Sequence, residues 1–401
     1  MKQLKVKIHT HPIYIFWMLK IIFDMFYQLK MLTVIITAFA ILLLIIAITK
    51  RFPLKPCISD TIVILIALMF TGSWLKSPEL YLDYLKIISS LLLYFLGRFY
   101  VKDIDTVWES LTSSLLFALV INLIVCLAGK GTIVWGSAVT YRGMYFFKTD
   151  FAVMLCYFLI TWIYNKKMEK SDFIPLAIAV VLIVLCNARI IYLCTIVALF
   201  IFFQYRKNKK IISFKNVLML GCAFLVCIYA LRFVSNTKFF QDRGLLSLHF
   251  DKLSDLMNAS NTQGRNEIWT LLLTAFNRQN IFTKIFGAAM NFNQIFGYSG
   301  LNEHNTYVKV LINTGYCGLV LFALLFFIAI KEINDTPDRK LSCYTLSVLM
   351  VFLIVGFSVP TILYTNCSWI PLFMIGGCIS SAQENYNVEV FVPLRNGQEN
   401  T

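Results

Sequence analysis

Charge is scarce in this sequence. Only 14% of its 401 residues are Asp, Glu, Lys or Arg, and 21 are acidic, where an ordinary soluble domain carries about 25% charged residues. Histidine occurs four times. The 11 cysteines form no CxxC pair, and no Cys/His cluster has metal-ligand spacing, which excludes a zinc-ribbon or thiol-redox reading. Most of them (Cys126, Cys156, Cys186, Cys194, Cys222, Cys227) lie inside apolar runs and read as small buried hydrophobes. No small-residue cleavage site follows the basic start MKQLKVKIHTHPIYIFWML, so the first apolar run is expected to be retained rather than removed as a signal peptide. Internal repeats and low-complexity tracts are absent as well.

What fills the chain instead is apolar. Hydrophobic residues make up 59% and the mean hydropathy is +0.73. They fall in blocks, not in an amphipathic alternation. MLTVIITAFAILLLIIAIT (31–49) and SLTSSLLFALVINLIVCLAG (110–129) contain no charge at all. Runs of about 18 or more apolar residues are long enough to cross a hydrocarbon core of roughly 30 Å as helices. The composition therefore excludes a soluble globule and predicts an all-α, polytopic transmembrane helical bundle, a single integral membrane domain over 1–401. Charged punctuation divides it into about twelve spans: 13–29, 31–49, 60–77, 83–100, 110–129, 149–165, 172–187, 189–205, 214–233, 306–330, 341–360 and 362–382. Lys20 and Asp24 interrupt the first, and Lys86 lies in the fourth.

The formal net charge of +15 has a topological reading, so no nucleic-acid partner is expected. Lys and Arg accumulate in cytoplasmic loops of membrane proteins. With the N-terminus in the cytoplasm, the inward junctions hold Lys50 and Arg51, Arg98 and Lys102, Lys166 and Lys167, Arg206 to Lys215, and Lys331 to Lys340. The outward hairpins near 30, 78 and 361 carry one or two basic residues at most. Both termini are thus expected in the cytoplasm, with 383–401 as a polar cytoplasmic tail. Two outward loops are longer than hairpins: a modest one over 130–148 and a large one over 234–305. Long connections inside compact proteins are usually functional or disordered. The Leu, Ile and Phe of IWTLLLTAFNRQNIFTKIFGAAMNFNQIFGYSG predict short helices packed on the membrane face.

Four polar groups meet this outer face by depth. Arg142 lies in the first long loop, Arg189 at the junction CNARIIYLC, Arg265 in TQGRNEIW, and His304 in LNEHNTYVKVLINTGYCG. An arginine at a boundary can snorkel to lipid phosphates, which suits Arg142 as well as any functional role. Arg189 has no acidic neighbour in sequence, so burying it is costly unless it meets an anion. Guanidinium groups grip phosphate with paired charge-assisted hydrogen bonds, and two or three around one cavity suit a diphosphate. A lone loop histidine is often decoration. His304, however, precedes a helix start, and Gly315 and Gly318 lie one turn apart further along, where small residues let a second helix approach closely. A rigid helix mouth suits a general acid or base.

The string His304-Asn305, nine residues, Gly315-Tyr316-Cys317-Gly318 resembles the signature H[NSQ]-x9-G-x-x-[GTY] of the O-antigen ligase family, where it ends the large periplasmic loop. GRNEIW around Arg265 resembles that family's GR…W segment. NARIIYL around Arg189 is similar to its Ser-Arg helix start, with Asn187 where Ser is usual. RGMYFFKTDFA (142–152) is a fainter echo, with Lys148 matched and Thr149 standing where Asn is typical. The likeness in layout covers about 60–330. It implies a GT-C-like membrane glycosyltransferase of a bacterial inner membrane, needing neither cofactor nor metal. The enzyme would take a glycan from an undecaprenyl-diphosphate carrier at the periplasmic face. A ligase gives it to lipid A-core in lipopolysaccharide biosynthesis, and the sister polymerase gives it to another lipid-linked repeat unit. Arg189 and Arg265, with Arg142 and Lys148, would bind the diphosphate. His304 would take the acceptor proton or orient the diphosphate, with Asn305, Gly315 and Gly318 shaping its support. A flippase-type transporter is the rival from another class. Such folds commonly show two related halves with charges at mid-membrane depth, whereas here one outward loop dominates.

Overall fold

A computed structural model describes residues 11–26, 28–51, 55–135, 138–207, 264–295, 297 and 303–391, with 229 and 233 as isolated positions. The ninth expected span (214–233, these two positions apart), the first part of the large loop (234–263), the N-terminal ten residues and 392–401 lie outside the described residues. Fourteen α-helices are present among those described. In chain order they are α1 (Pro12–Met25), α2 (Lys30–Arg51), α3 (Ile58–Leu75), α4 (Tyr81–Tyr100), α5 (Ile104–Leu127), α6 (Lys148–Asn165), α7 (Phe173–Cys186) and α8 (Arg189–Arg206). The large loop then contributes α9 (Arg265–Asn277), α10 (Ile281–Phe286) and α11 (Phe292–Ile295). The chain closes with α12 (Thr306–Asp335), α13 (Arg339–Val355) and α14 (Thr365–Phe391). A helix therefore occupies each expected span that falls on described residues, and short helices form in the large loop.

Six helical segments are long and apolar enough to cross a membrane: Met31–Lys50, Ile58–Leu75, Pro78–Tyr100, Ile104–Leu127, Arg189–Arg206 and Thr306–Asp335. Helices are one of the two solutions lipid allows, because they satisfy their own backbone polar groups. Their outer faces remain apolar. Ile35, Leu42, Ile45 and Ile48 on α2 are exposed, as are Leu65, Leu68 and Leu75 on α3. Such stripes suit acyl chains.

The charges that interrupt the apolar runs are paired. Lys20 and Asp24 form an ion pair one turn apart on α1, with the Lys20 ammonium 4.8 Å from the centre of the Trp369 ring. Lys86 meets Asp83 at 3.0 Å. At the end of the bundle away from the large loop, the buried Arg98 guanidinium reaches Asp60 at 3.2 Å and donates to the Lys55 carbonyl at 2.8 Å and Gln383 Oε1 at 2.9 Å. That set ties α3, α4 and α14 together. Breaking one member of such a buried charged set costs about 3–5 kcal/mol, because the partner is left uncompensated.

Two local features depart from expectation. Against the all-α reading, the modest 130–148 loop contains a short hairpin: Thr132–Trp135 pairs antiparallel with Ala138–Tyr141, Thr132 opposite Tyr141. β-branched residues on both strands favour this pairing, and the Tyr141 hydroxyl anchors it to the Asn122 carbonyl of α5. The second departure concerns the glycines. Gly315 has φ +69° and ψ −171° and breaks α12 into two helices. A Cβ there would strike the Ile285 carbonyl and the Gly287 amide, so what approaches Gly315 is the end of α10, not a neighbouring span. A Cβ on Gly318 would meet only the Thr314 side chain of its own helix. The close helix–helix approach lies elsewhere, where Gly97 faces the Phe373 carbonyl and Gly376 faces that of Tyr94, between α4 and α14.

The break at Gly315 has a use. Ile312 would bond the residue-316 amide in a continuous helix; here its carbonyl accepts from Ala288 N at 2.7 Å instead. The 287–291 segment then runs over the end of α3: Lys76 Nζ donates to the Gly287 carbonyl (2.8 Å), Ser73 Oγ to that of Ala288 (2.7 Å), and Met290 N to Ser77 Oγ (2.9 Å). A second small core (Leu272, Phe276, Ala288, Phe292, Val308 and Ile312) fastens the loop helices to the first turns of α12.

Candidate functional site

Lys148, Arg189 and Arg265 are each the first residue of their helix, α6, α8 and α9. Helix N-termini present unsatisfied amides and the positive end of the peptide dipoles, so this end of the molecule gathers partial charges and full charges of one sign. The three side chains feel one another: Lys148 senses both Arg189 and Arg265, and Arg265 senses Arg189. All three are half-buried, which leaves them reachable. Among the described residues no carboxylate pairs with Arg189 or Arg265. Burial first, and the Arg189 charge second, pull Arg265 below the usual arginine value. Like charges gathered at helix N-termini have the electrostatics of an anion site.

Local conformation explains the placement. Asn187 ends α7 in the left-handed region (φ 49°), and its carbonyl accepts from Lys148 Nζ at 3.4 Å. Asparagine tolerates that backbone better than most residues. The turn lets α8 start two residues later, at Arg189. Gly264 plays the same part before Arg265, with φ +76° and no side-chain cap.

His304 joins this cluster through Arg265, whose charge it senses. Its imidazole is half-buried, and its backbone is left-handed at φ 46°. A non-glycine residue holds that conformation only when its surroundings over-determine it. They do so on both sides. The Glu303 carbonyl accepts from the Trp269 indole at 2.7 Å. The buried Glu303 carboxylate accepts from Lys309 Nζ and Asn293 Nδ2, both at 3.1 Å. After the histidine, Asn305 Oδ1 caps α12 by accepting from the amides of Tyr307 (2.8 Å) and Val308 (3.0 Å). Thr306 N donates to the Gly356 carbonyl at 2.7 Å. Burial first, and Arg265 second, lower the His304 value below the usual histidine range, against a smaller opposing push from Glu303. The ring is therefore neutral at pH 7, able to accept a proton at one nitrogen.

Lys148, Arg189, Arg265 and His304 are thus brought together. Arg142 is not joined to them by any interaction among the described residues; its guanidinium turns back to the Phe146 carbonyl at 3.1 Å on its own loop. Asn305 acts as a cap, and Gly315 as the seat for α10. Sequence reasoning missed Glu303, Lys309, Asn293 and the anchoring role of Trp269. Only Trp269 left a signal, four residues after Arg265 and so on one face of the same helix. Among the described residues no group of three His, Cys, Asp or Glu side chains is disposed to hold a metal ion. In comparisons of sequence, no family model and no curated protein matches the chain, so the chemistry of this site rests on its own residues.

Proposed function

We propose that this chain is a glycosyltransferase of a bacterial inner membrane, an O-antigen ligase that moves a glycan from an undecaprenyl-diphosphate carrier to lipid A-core at the periplasmic face. Both termini then lie in the cytoplasm. The observation that carries the reading is the gathering of Lys148, Arg189 and Arg265, each opening a helix, beside a neutral His304. The site stands at one end of helices long and apolar enough to cross a membrane. A lipid-linked diphosphate has its charge at that depth.

The reaction follows from these parts. An acceptor hydroxyl oxygen bonds to the anomeric carbon while the bond from that carbon to the diphosphate oxygen breaks. The electron pair leaves with the diphosphate, whose charge grows by one. Fixed cations stabilise that growing charge more in the transition state than in the ground state, so they accelerate the step rather than merely bind. The acceptor proton goes to the neutral His304 imidazole, whose direction is set by the clamps on either side of it. Removing one such preorganised electrostatic partner costs about 10²–10³ in rate.

Deletion of the gene, followed by analysis of the lipopolysaccharide, tests the proposal. Uncapped core with polymerised carrier-linked glycan accumulating is the expected result. Core bearing a single repeat unit would assign the chain to the polymerase reaction instead. Unaltered lipopolysaccharide in cells carrying only His304→Ala at normal protein levels would overturn both.

A further inference from the structure

The short helix α10 exposes its apolar side chains, although it is pinned to the protein at both ends. Ile281 is 63% exposed, Phe282 73% and Phe286 55%. Asn280 caps it, accepting from the Thr283 amide at 2.9 Å, and Gly287 ends it against Asn313 and Thr314 of α12. Its position along the bundle is fixed by the bonds of 287–291 to Ser73, Lys76 and Ser77. Those residues are the last turn of α3 and the two residues that follow it, where its apolar run gives way to Lys76.

The neighbouring faces say what lies at that level. On α12, Tyr316, Val320, Leu324 and Phe327 are all exposed, at helical spacing, on a segment apolar enough to cross a membrane. The stripe begins immediately beyond the Gly315 seat of α10. On α3 the exposed stripe ends at Leu75, one residue before Lys76. The bare side chains of α10 thus continue two lipid-facing stripes at their upper limit.

We propose that α10 is an interfacial anchor whose Ile281, Phe282 and Phe286 side chains are seated in the headgroup–acyl boundary of the bilayer, with Lys284 supplying a cation for lipid phosphate. Amphipathic segments at this level bind through buried apolar area and attraction to anionic headgroups. The anchor holds α9, and with it Arg265, at a set height over the membrane. This inference stands independently of the reaction proposed above.

Photocrosslinking of the full chain in phospholipid nanodiscs tests it. Phe282→p-benzoylphenylalanine is compared with the same replacement at Glu267, an exposed position on α9. Phospholipid adducts at 282 well above the level at 267 are expected. A cross-linked second copy, or lipid labelling at 282 no greater than at 267, would overturn the proposal. If the 282 variant does not accumulate, Phe286→p-benzoylphenylalanine is read by the same criteria.

Discussion

The Trp269 indole donates to the Glu303 carbonyl at 2.7 Å, which locks the helix that opens with Arg265 to the residue before His304. One bond thereby fixes the distance between a cation and a base that come from separate elements. Trp269→Phe keeps most of the apolar volume and deletes the bond. A net loss of about 0.5–1.5 kcal/mol is expected, seen as a small drop in melting temperature of the purified protein. Glycan transfer should fall far more, by tenfold or greater. Equal and small losses in both would show that the bond is structural only.

In the proposed transfer, with His304 as the base, the acid limb of the rate should depend on Arg265. His304 has its folded value below the usual 6.5, from burial and then from Arg265. Such a group is neutral in the folded state through the neutral range. As pH falls below about 6.5 the unfolded chain takes up this proton before the folded one does, so its contribution lowers stability toward acid. In Arg265→Gln the second cause is gone and the His304 value rises. The acid limb of the residual transfer rate should therefore move toward neutrality. A limb that stays put, measured on the same donor, would remove His304 from that role.

Cations that repel each other weaken the empty protein. Arg189→Gln relieves Arg265 of the like charge that it senses, so the ligand-free variant should melt at or above the wild-type temperature while transferring about 10²–10³-fold more slowly. Pyrophosphate in excess should raise the wild-type melting temperature, by mass action on the folded state, and raise that of the variant less. Equal shifts would mean that the ion binds elsewhere.

Gly315 and Gly318 should both resist alanine, for different reasons. At Gly315 the left-handed backbone and the Ile285 carbonyl both resist a Cβ, and strain of this kind costs of order 1–3 kcal/mol. Limited proteolysis should then cut the large loop faster. At Gly318 the Thr314 side chain stands in the way. Because its Cβ itself overlaps the new methyl, turning the hydroxyl away from the Val310 carbonyl does not clear the space, and the backbone of that turn must shift. Gly318→Ala should also destabilise, and pairing it with Thr314→Gly, which removes the obstructing side chain, should restore the proteolysis pattern more fully than the same pairing does for Gly315→Ala.

Much of this architecture was legible because lipid makes hydropathy a direct signal. Uncharged runs such as 31–49 predict helices with little interference from tertiary context, and helices occupy them. Arg189 stood out for a related reason: a cation beside an apolar run without a neighbouring acid needs an explanation, whereas Arg265, with Glu267 two residues on, stood out through the GRNEIW segment. The rest depended on contacts distant in sequence. Nothing near Glu303 signals that Lys309 and Asn293 will neutralise it, because the first is six residues away and the second arrives from another helix. The hairpin at 132–141 is too short to compete with the long apolar runs on either side. The purpose of Gly315 was also hidden. Its spacing from Gly318 implies helix packing, whereas its positive φ and its neighbour α10 emerge only in three dimensions.

The broken helix also sets a height. Below Gly315, the twenty residues Tyr316–Asp335 span about 30 Å, the thickness of a bilayer's hydrocarbon. Above it, the nine residues Thr306–Thr314 rise by at most about 14 Å. With α10 at the lipid surface as inferred above, His304 rides a mast footed at that surface and rooted through the membrane below. In the proposed reaction the donor is measured against that mast. On that proposal, a donor whose reactive bond lies within that rise of its lipid anchor would reach the imidazole, and one that presents the same bond on a longer extramembrane stalk would overshoot it.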